Sequence, residues 1–256
     1  VGKKMNPIDY NEIGSVYDGV RKGDVTIVNR FLGELSDHDM LNIFDMGCGT
    51  GNYIDIFQRI TRAHGFKFFG IDPSEGMLDK ARQKNDCILF LQGTAECIPL
   101  EDNFIDFVYM TDVIHHVADI GKMFAVIYRI LRPLGKVCII TQSHKQIDDR
   151  PIVQFFPGTA QVEKGRYPDI KEITSAATQN QLAYLKQEIL FEGEEVQLDA
   201  GFLNLVRKRG YSMLHLLSEG EYEIGLHALD DALKYGPIHS KSAGETLIWF
   251  IKRNCN

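Results

Sequence analysis

The stretch FDMGCGTGNY, residues 44–53, decides how the rest of the chain is read. The apolar run Leu41-Asn42-Ile43-Phe44 leads into it, and Gly47, Gly49 and Gly51 then alternate with Cys48 and Thr50. A strand that empties into alternating glycines lets a nucleotide-like ligand come close to the backbone. A dinucleotide loop of the form G-x-G-x-x-G would need glycine at position 52, where Asn52 stands. The spacing is instead Asp45-x-Gly47-x-Gly49-x-Gly51, which suits a ligand held by close backbone approach rather than by neutralising phosphates.

Working outward, seven short apolar segments read as strands: 41–45, 66–72, 88–93, 104–110, 136–141, 185–191 and 246–252. The first five are nearly continuous apolar runs, as expected where both faces of a sheet are covered. Helical patterns separate them. In residues 24–35, Val25, Val28, Leu32 and Leu35 share a face, with Asp24 placed as N-cap. Ser74 is placed to cap a helix whose buried stripe is Met77, Leu78 and Ala81. A third helix carries Met123, Ile127 and Ile130 inward and is expected to end at Pro133. Regular β-α alternation with right-handed crossovers predicts an α/β, Rossmann-like, doubly wound and mostly parallel seven-stranded sheet. Ligands of such sheets sit beyond the carboxyl ends of the strands, where the strand order reverses.

Between the fifth and sixth strands lie about forty residues, too many for a simple connection. Phe155, Phe156 and Tyr167 within them argue for packed structure, so residues 143–184 are expected to form an inserted substrate lid on a single domain, 1–256. Asp169 is placed to cap a helix through 170–182, and two further helical patterns precede the last strand. The net charge of −7 and scattered Lys and Arg argue against duplex nucleic acid as partner. No apolar run reaches the ~18 residues of a membrane span, and residues 1–12 lack a signal-peptide core. The five cysteines, 48, 87, 97, 138 and 255, show neither disulfide nor zinc spacing, so no metal is expected and a cytoplasmic setting is. Cys48 reads as a small residue filling the loop or as part of the ligand site.

Several ordered elements together resemble one family. Asp45-Met46-Gly47-Cys48-Gly49-Thr50-Gly51 is similar to motif I of the class I S-adenosylmethionine (SAM) methyltransferases. Asp72 ends the second strand 21 residues beyond Gly51, where that family's acidic residue binds the ribose hydroxyls. Gly93-Thr94-Ala95-Glu96 resembles the adenine-binding G-D-A-E, with Thr94 where many relatives have Asp. Asp106, His115-His116-Val117 and RILRPLGKV match the fourth strand, the turn after it and the approach to the fifth. The stretch RKRGYSMLHLLSEGEYEIGLHALDDAL, residues 207–233, resembles members of the ubiquinone/menaquinone-biosynthesis-like branch, methyltransferase type 11.

The resemblance implies SAM as cofactor and S-adenosylhomocysteine (SAH) as product. It implies cofactor contacts from Asp45, Gly47, Cys48, Gly49, Gly51, Asp72, Pro73, Met77, Thr94, Ala95, Glu96 and Thr111. A carboxylate accepts well from two ribose hydroxyls, and Pro73, Met77 and Ala95 can face an adenine ring. His116 and His115 are the candidate catalytic groups; the alternative is that one packs and the other is solvated. Tyr10, Tyr17 and Arg21 fall in an N-terminal segment, 1–23, resembling a helix that closes over the site, or simply packing on the domain. Arg150, Phe155, Phe156, Arg166 and Tyr167 could suit an aromatic or apolar substrate bearing an anion, the alternative for the arginines being a solvated surface. The expected activity is methyl transfer to an O, N or C nucleophile of a small molecule. The rivals are a SAM- or SAH-binding protein without turnover, and a methyltransferase for protein or RNA.

Overall fold

Every residue of the first strand, β1 (Asn42–Met46), is buried, because helices cover both faces of the sheet it belongs to. The protein is represented by a computed structural model that describes residues 23–35 and 40–254. Tyr10, Tyr17, Arg21 and Cys255 lie outside the described residues. β1 pairs in parallel with β2 (Lys67–Asp72) and with β4 (Ile105–Thr111). β3 (Leu89–Gln92) pairs in parallel with β2, and β5 (Leu131–Thr141) with β4. With β6 (Leu182–Leu190) and β9 (Glu245–Lys252) the order is β3-β2-β1-β4-β5-β9-β6. The reversal of strand order falls between β1 and β4, beside the glycine loop.

One face of this sheet is aromatic. Phe31 of helix α1 (Val25–Leu35) lies with its ring centroid 4.9 Å from Tyr109, 5.4 Å from Phe107 and 6.1 Å from Trp249. Phe57 of α2 (Asn52–Ile60) joins the cluster, 5.9 Å from Phe31. The buried stripe of α1 is therefore Ile27, Val28, Phe31 and Leu35; Val25 is exposed and Leu32 only half-buried, contrary to the apolar spacing first expected. A ring at position 31 fills space among four other aromatic side chains, which turns the helix by one residue. Asp24 does cap it, accepting from the Thr26 and Ile27 N–H groups.

Helix α3 (Glu75–Lys84) follows β2, with Met77, Leu78 and Ala81 buried and the Ser74 hydroxyl accepting from the Met77 N–H at 3.3 Å. On the opposite face Phe124, Ile127 and Ile130 of α4 (Ile120–Ile130) pack with Ile173 and Ala177 of a later helix and Phe250 of β9. Helix α4 ends at Ile130, short of Pro133. β5 starts at once, and its register against β4 jumps from Leu131 opposite Ile105 to Lys136 opposite Phe107. Pro133 and the positive-φ Leu134 sit in the residues looped out, where no ladder hydrogen bond is needed.

The described residues divide into two compact units. The sheet unit holds residues 23–141, 170–188 and 247–254; the second holds 142–169 and 189–246. Helix α7 (Ile170–Gln179), within the span 143–184 expected as a lid, groups with the sheet unit, and residues 189–246 group with 142–169. In the second unit are α5 (His144–Asp148), α6 (Gly158–Lys164), α8 (Ala200–Arg207) and α9 (Glu219–Leu233). It also has an antiparallel pair, β7 (Glu195–Leu198) with β8 (Ile238–Lys241), which the apolar patterning did not reveal. Its core gathers Phe156, Leu203, Val206, Leu214, Tyr222 and Leu229. Asp199 caps α8, and Ser218 with Glu221 forms a reciprocal capping box on α9.

Candidate functional site

The glycine loop leaves β1 in a conformation that side chains resist. Gly47, Gly49 and Gly51 have φ of 76°, 52° and 77°. At Gly47 there is also no room, since a Cβ would lie 2.4 Å from Val113 Cγ2. The loop is tied to its neighbour: the Ile71 carbonyl accepts from the N–H groups of Gly47 at 2.8 Å and Cys48 at 3.0 Å. Cys48 is buried, and its sulfur occupies the space a side chain at position 70 would need. Burial, with Asp45 and Asp72 nearby, pushes its thiol well above the usual range.

Two carboxylates flank this loop. Asp72, at the end of β2, accepts from the Gly49 N–H through Oδ2 at 3.0 Å and from the Ser74 N–H through Oδ1 at 2.9 Å. Burial raises its pKa above the ordinary value, and those two N–H groups pull it back. Each oxygen keeps a lone pair beyond the one its N–H uses. Asp45 is buried, with Oδ2 accepting from the Tyr109 hydroxyl at 2.9 Å. Its Oδ1 is buried with no hydrogen-bond partner among the described residues. Burial drives its pKa up to about 8, helped by Asp72 and opposed by the Tyr109 hydroxyl.

The loop after β3 is stitched to the same rim. The Gly93 N–H donates to the Asp72 carbonyl, and Thr94 bridges to Cys97. Glu96 turns away from this strand: its Oε1 accepts from the Ala118 N–H at 2.9 Å and the Asp119 N–H at 3.3 Å, at the start of α4. Burial works to raise its pKa, but the backbone N–H groups and the Thr94 hydroxyl outweigh it and hold the carboxyl below its usual range. Glu96 therefore clasps two loops, with one oxygen committed to that task. Of the apolar residues expected near adenine, Pro73 is exposed, Ala95 half-buried and Met77 buried under the rim.

Thr111 ends β4, paired in register with Ile140. Asp112 follows with φ 54°, a conformation that non-glycine residues adopt at a cost and that clusters at functional sites. The chain then makes a 3-10 turn over Ile114–His116. The rings of His115 and His116 lie 3.9 Å apart between centroids, His115 half-buried and His116 exposed. The sheet unit thus brings Asp45, the three glycines, Asp72, Thr94, Glu96, Thr111 and the histidine pair onto the carboxyl-end rim of β1 to β4.

Arg150, Phe155, Phe156, Arg166 and Tyr167, five of the residues expected to read the substrate, lie in the second unit and pack within it. Arg150 donates to Gln142 at 2.5 Å and Glu163 at 2.8 Å, while Arg166 donates to the other Glu163 oxygen at 2.7 Å. The Arg150 guanidinium also lies 5.2 Å from the Tyr167 ring centre. Tyr167 and Phe156 are buried in separate clusters, and Phe155 packs against that of Phe156. Tyr109, Val113 and Glu163 escaped the sequence reading. Tyr109 and Val113 looked like ordinary apolar strand and loop residues, and Glu163 like one of many acids. Among the described residues there is no cluster of His, Cys, Asp and Glu suited to a metal, and no helix long and apolar enough to cross a membrane.

The rim fits an adenosyl amino acid. Hydroxyl donors of a ribose would meet the open lone pairs of Asp72, and the orphaned Asp45 Oδ1 offers a buried acceptor to a cationic or N–H group.

Comparison with known proteins agrees. Residues 44–139 match the family described as a methyltransferase domain. A malonyl-[acyl-carrier protein] O-methyltransferase of Serratia marcescens is 30% identical over 141 residues, covering 55% of this chain and 54% of that protein. The chain spans about half the length of the curated relatives it matches. Among solved structures, a candidate methyltransferase from an antibiotic biosynthesis pathway of Anabaena variabilis superposes with a TM-score of 0.70 at 22% identity. It covers 90% of this chain and 98% of that one. The phosphoethanolamine N-methyltransferase 2 of Haemonchus contortus, solved with S-adenosyl-L-methionine, gives 0.61 at 18% identity, over 99% of this chain and 62% of that one. These two likenesses establish the fold.

Proposed function

We propose, from the premise that residues 44–139 are a methyltransferase domain of the class I SAM-dependent family, that the chain methylates an O, N or C nucleophile of a small molecule. The observation that carries this reading is the Asp72 carboxylate. One of its oxygens fixes the Gly49 N–H of the glycine loop and the other the Ser74 N–H, leaving it aimed by backbone alone and open to two hydroxyl donors.

Asp45, Gly47, Cys48, Gly49, Gly51, Asp72, Pro73, Met77, Thr94, Ala95, Glu96 and Thr111 are the residues assigned to hold SAM. Bound there, SAM would supply an electrophilic methyl on a sulfonium, released to an in-line nucleophile. The chain's own part is alignment and exclusion of water. Asp72 orients the ribose side, and the loop amides and Asp45 form the floor. The Glu96 clasp keeps the loop after β3 in step with the turn bearing His115 and His116. An acceptor that arrives protonated needs a base, and the exposed imidazole of His116 is the group proposed to take that proton, with His115 beside it as support. The acceptor atom stays open among O, N and C, since the Serratia relative is named for an O-methyl transfer and the Haemonchus neighbour for an N-methyl transfer. The free thiols of Cys48, Cys87, Cys97 and Cys138 favour the cytoplasm as the setting.

The test is turnover. The protein is incubated with SAM and a panel of small carboxylates, amines and quinols, and SAH is quantified by mass spectrometry. SAH that accumulates only with one acceptor class supports the proposal. Stoichiometric SAM binding with no SAH formed across the panel would leave a binding protein without turnover and overturn it.

A further inference from the structure

The strand β6 closes one end of the sheet order, so among the described residues only one of its edges is paired. Edge strands carry a free row of backbone N–H and C=O groups, and proteins usually blunt them with charge, proline or cover. Here the charged Lys186 and Glu188 are paired with Glu34 and Arg30 of the same chain, and large apolar side chains stand exposed beside them. Tyr184, Leu185 and Ile189 on this single strand are each more than two-fifths exposed. Alongside runs a groove of about 530 Å³ lined by Tyr184 and Gln187 and by Ile170, Thr174 and Thr178 of α7. The Thr174 and Thr178 hydroxyls both donate back to carbonyls of their own helix, at 2.8 Å each, so these two residues offer the groove little beyond their methyl groups.

The sequence of this edge is complementary to itself. Residues 185–189 read Leu-Lys-Gln-Glu-Ile. In an antiparallel pairing about a two-fold axis through Gln187, Lys186 falls opposite the partner's Glu188, and Leu185 opposite the partner's Ile189. Both charge pairs are of opposite sign and both apolar pairs match, while Gln187 meets its own copy on the axis. Sliding the strands by two residues in either direction, which moves the axis by one, sets Lys186 or Glu188 against its own copy, and like charges directly opposite are unfavourable. The register is thus specified by charge as well as by shape. The pairing sets the partner's Leu190 opposite Tyr184, beside the groove.

We infer that the exposed edge of β6 is the interface with a second copy of this chain, formed by two-fold antiparallel strand addition centred on Gln187. The two copies join their sheets into one continuous sheet and bury the apolar edge that each alone exposes.

Sedimentation velocity of the full chain tests this at up to about 100 μM protein. The expected wild-type species has twice the 29.0 kDa of one chain. Leu185→Lys and Ile189→Glu, both at exposed sites, should each give monomer with unchanged circular dichroism. Leu185→Lys combined with Ile189→Glu restores opposite charges across the axis and should recover the dimer. A wild-type chain monomeric throughout the range overturns the inference, as does a dimer that survives both single variants.

Discussion

At the scale of single residues, two carboxylates less than one strand apart play different parts. Asp72 is held by backbone donors and faces the rim, so its loss is expected to be a binding defect rather than a folding one. Asp72→Ala should weaken SAM binding by about 1–3 kcal/mol, the range for a lost charged hydrogen bond, with the melting temperature changed far less. Calorimetric titration checks it, and unchanged affinity would remove the ribose assignment. Asp45 behaves in the other direction. Its pKa in the fold, about 8, stands above the 3.8 of an ordinary Asp, so the folded chain binds the more protons between those values. Stability tied to this group is therefore fully present below the ordinary value and is lost as pH rises toward 8. Asp45→Asn keeps an acceptor for Tyr109 and removes the ionisation. Relative to the variant, the wild type should become progressively less stable from pH 5 to pH 8 in urea denaturation. Parallel curves would place the Asp45 pKa at an ordinary value.

At the scale of elements, the β1 loop and the Arg150–Glu163–Arg166 knot are the points where one substitution reaches furthest. Gly47→Ala combines a positive φ with a Cβ 2.4 Å from Val113 Cγ2, so it should cost about 2–4 kcal/mol of stability and abolish cofactor binding, read by denaturation and titration. Glu163 is nearly fully buried and takes both guanidiniums. Glu163→Ala would strand two poorly solvated charges and should cost about 3 kcal/mol, whereas a loss under 1 kcal/mol would show the knot to be dispensable. Legibility differs sharply between these elements. Asp45 to Gly51, Asp72 and the Ser74 cap are local patterns whose chemistry is written in adjacent residues, so they could be read directly. The ion-pair knot joins positions 142, 150, 163 and 166, and nothing in their spacing says which acid meets which arginine. The four-residue strand β7 alternates polar and apolar over too short a span to be told from loop, and β8, Ile-His-Ser-Lys, has a single apolar residue.

At the scale of the molecule, the parallel half of the sheet followed from nearly unbroken apolar runs, and with it came the position of the site at the β1/β4 reversal. What could not be read was the partition into units, because residues 142–169 pack with 189–246 across an intervening helix and strand that belong to the sheet. Such a grouping depends on contacts between distant segments, and periodicity reports only on near neighbours. The central claim is that the rim of β1 to β4 is a SAM site, and the most direct measurement is isothermal titration of the protein with SAM, SAH and NAD in parallel. Saturable binding of SAM and SAH at one site per chain, with no heat from NAD, is the predicted result. Binding of NAD, or of neither sulfur ligand, would contradict it.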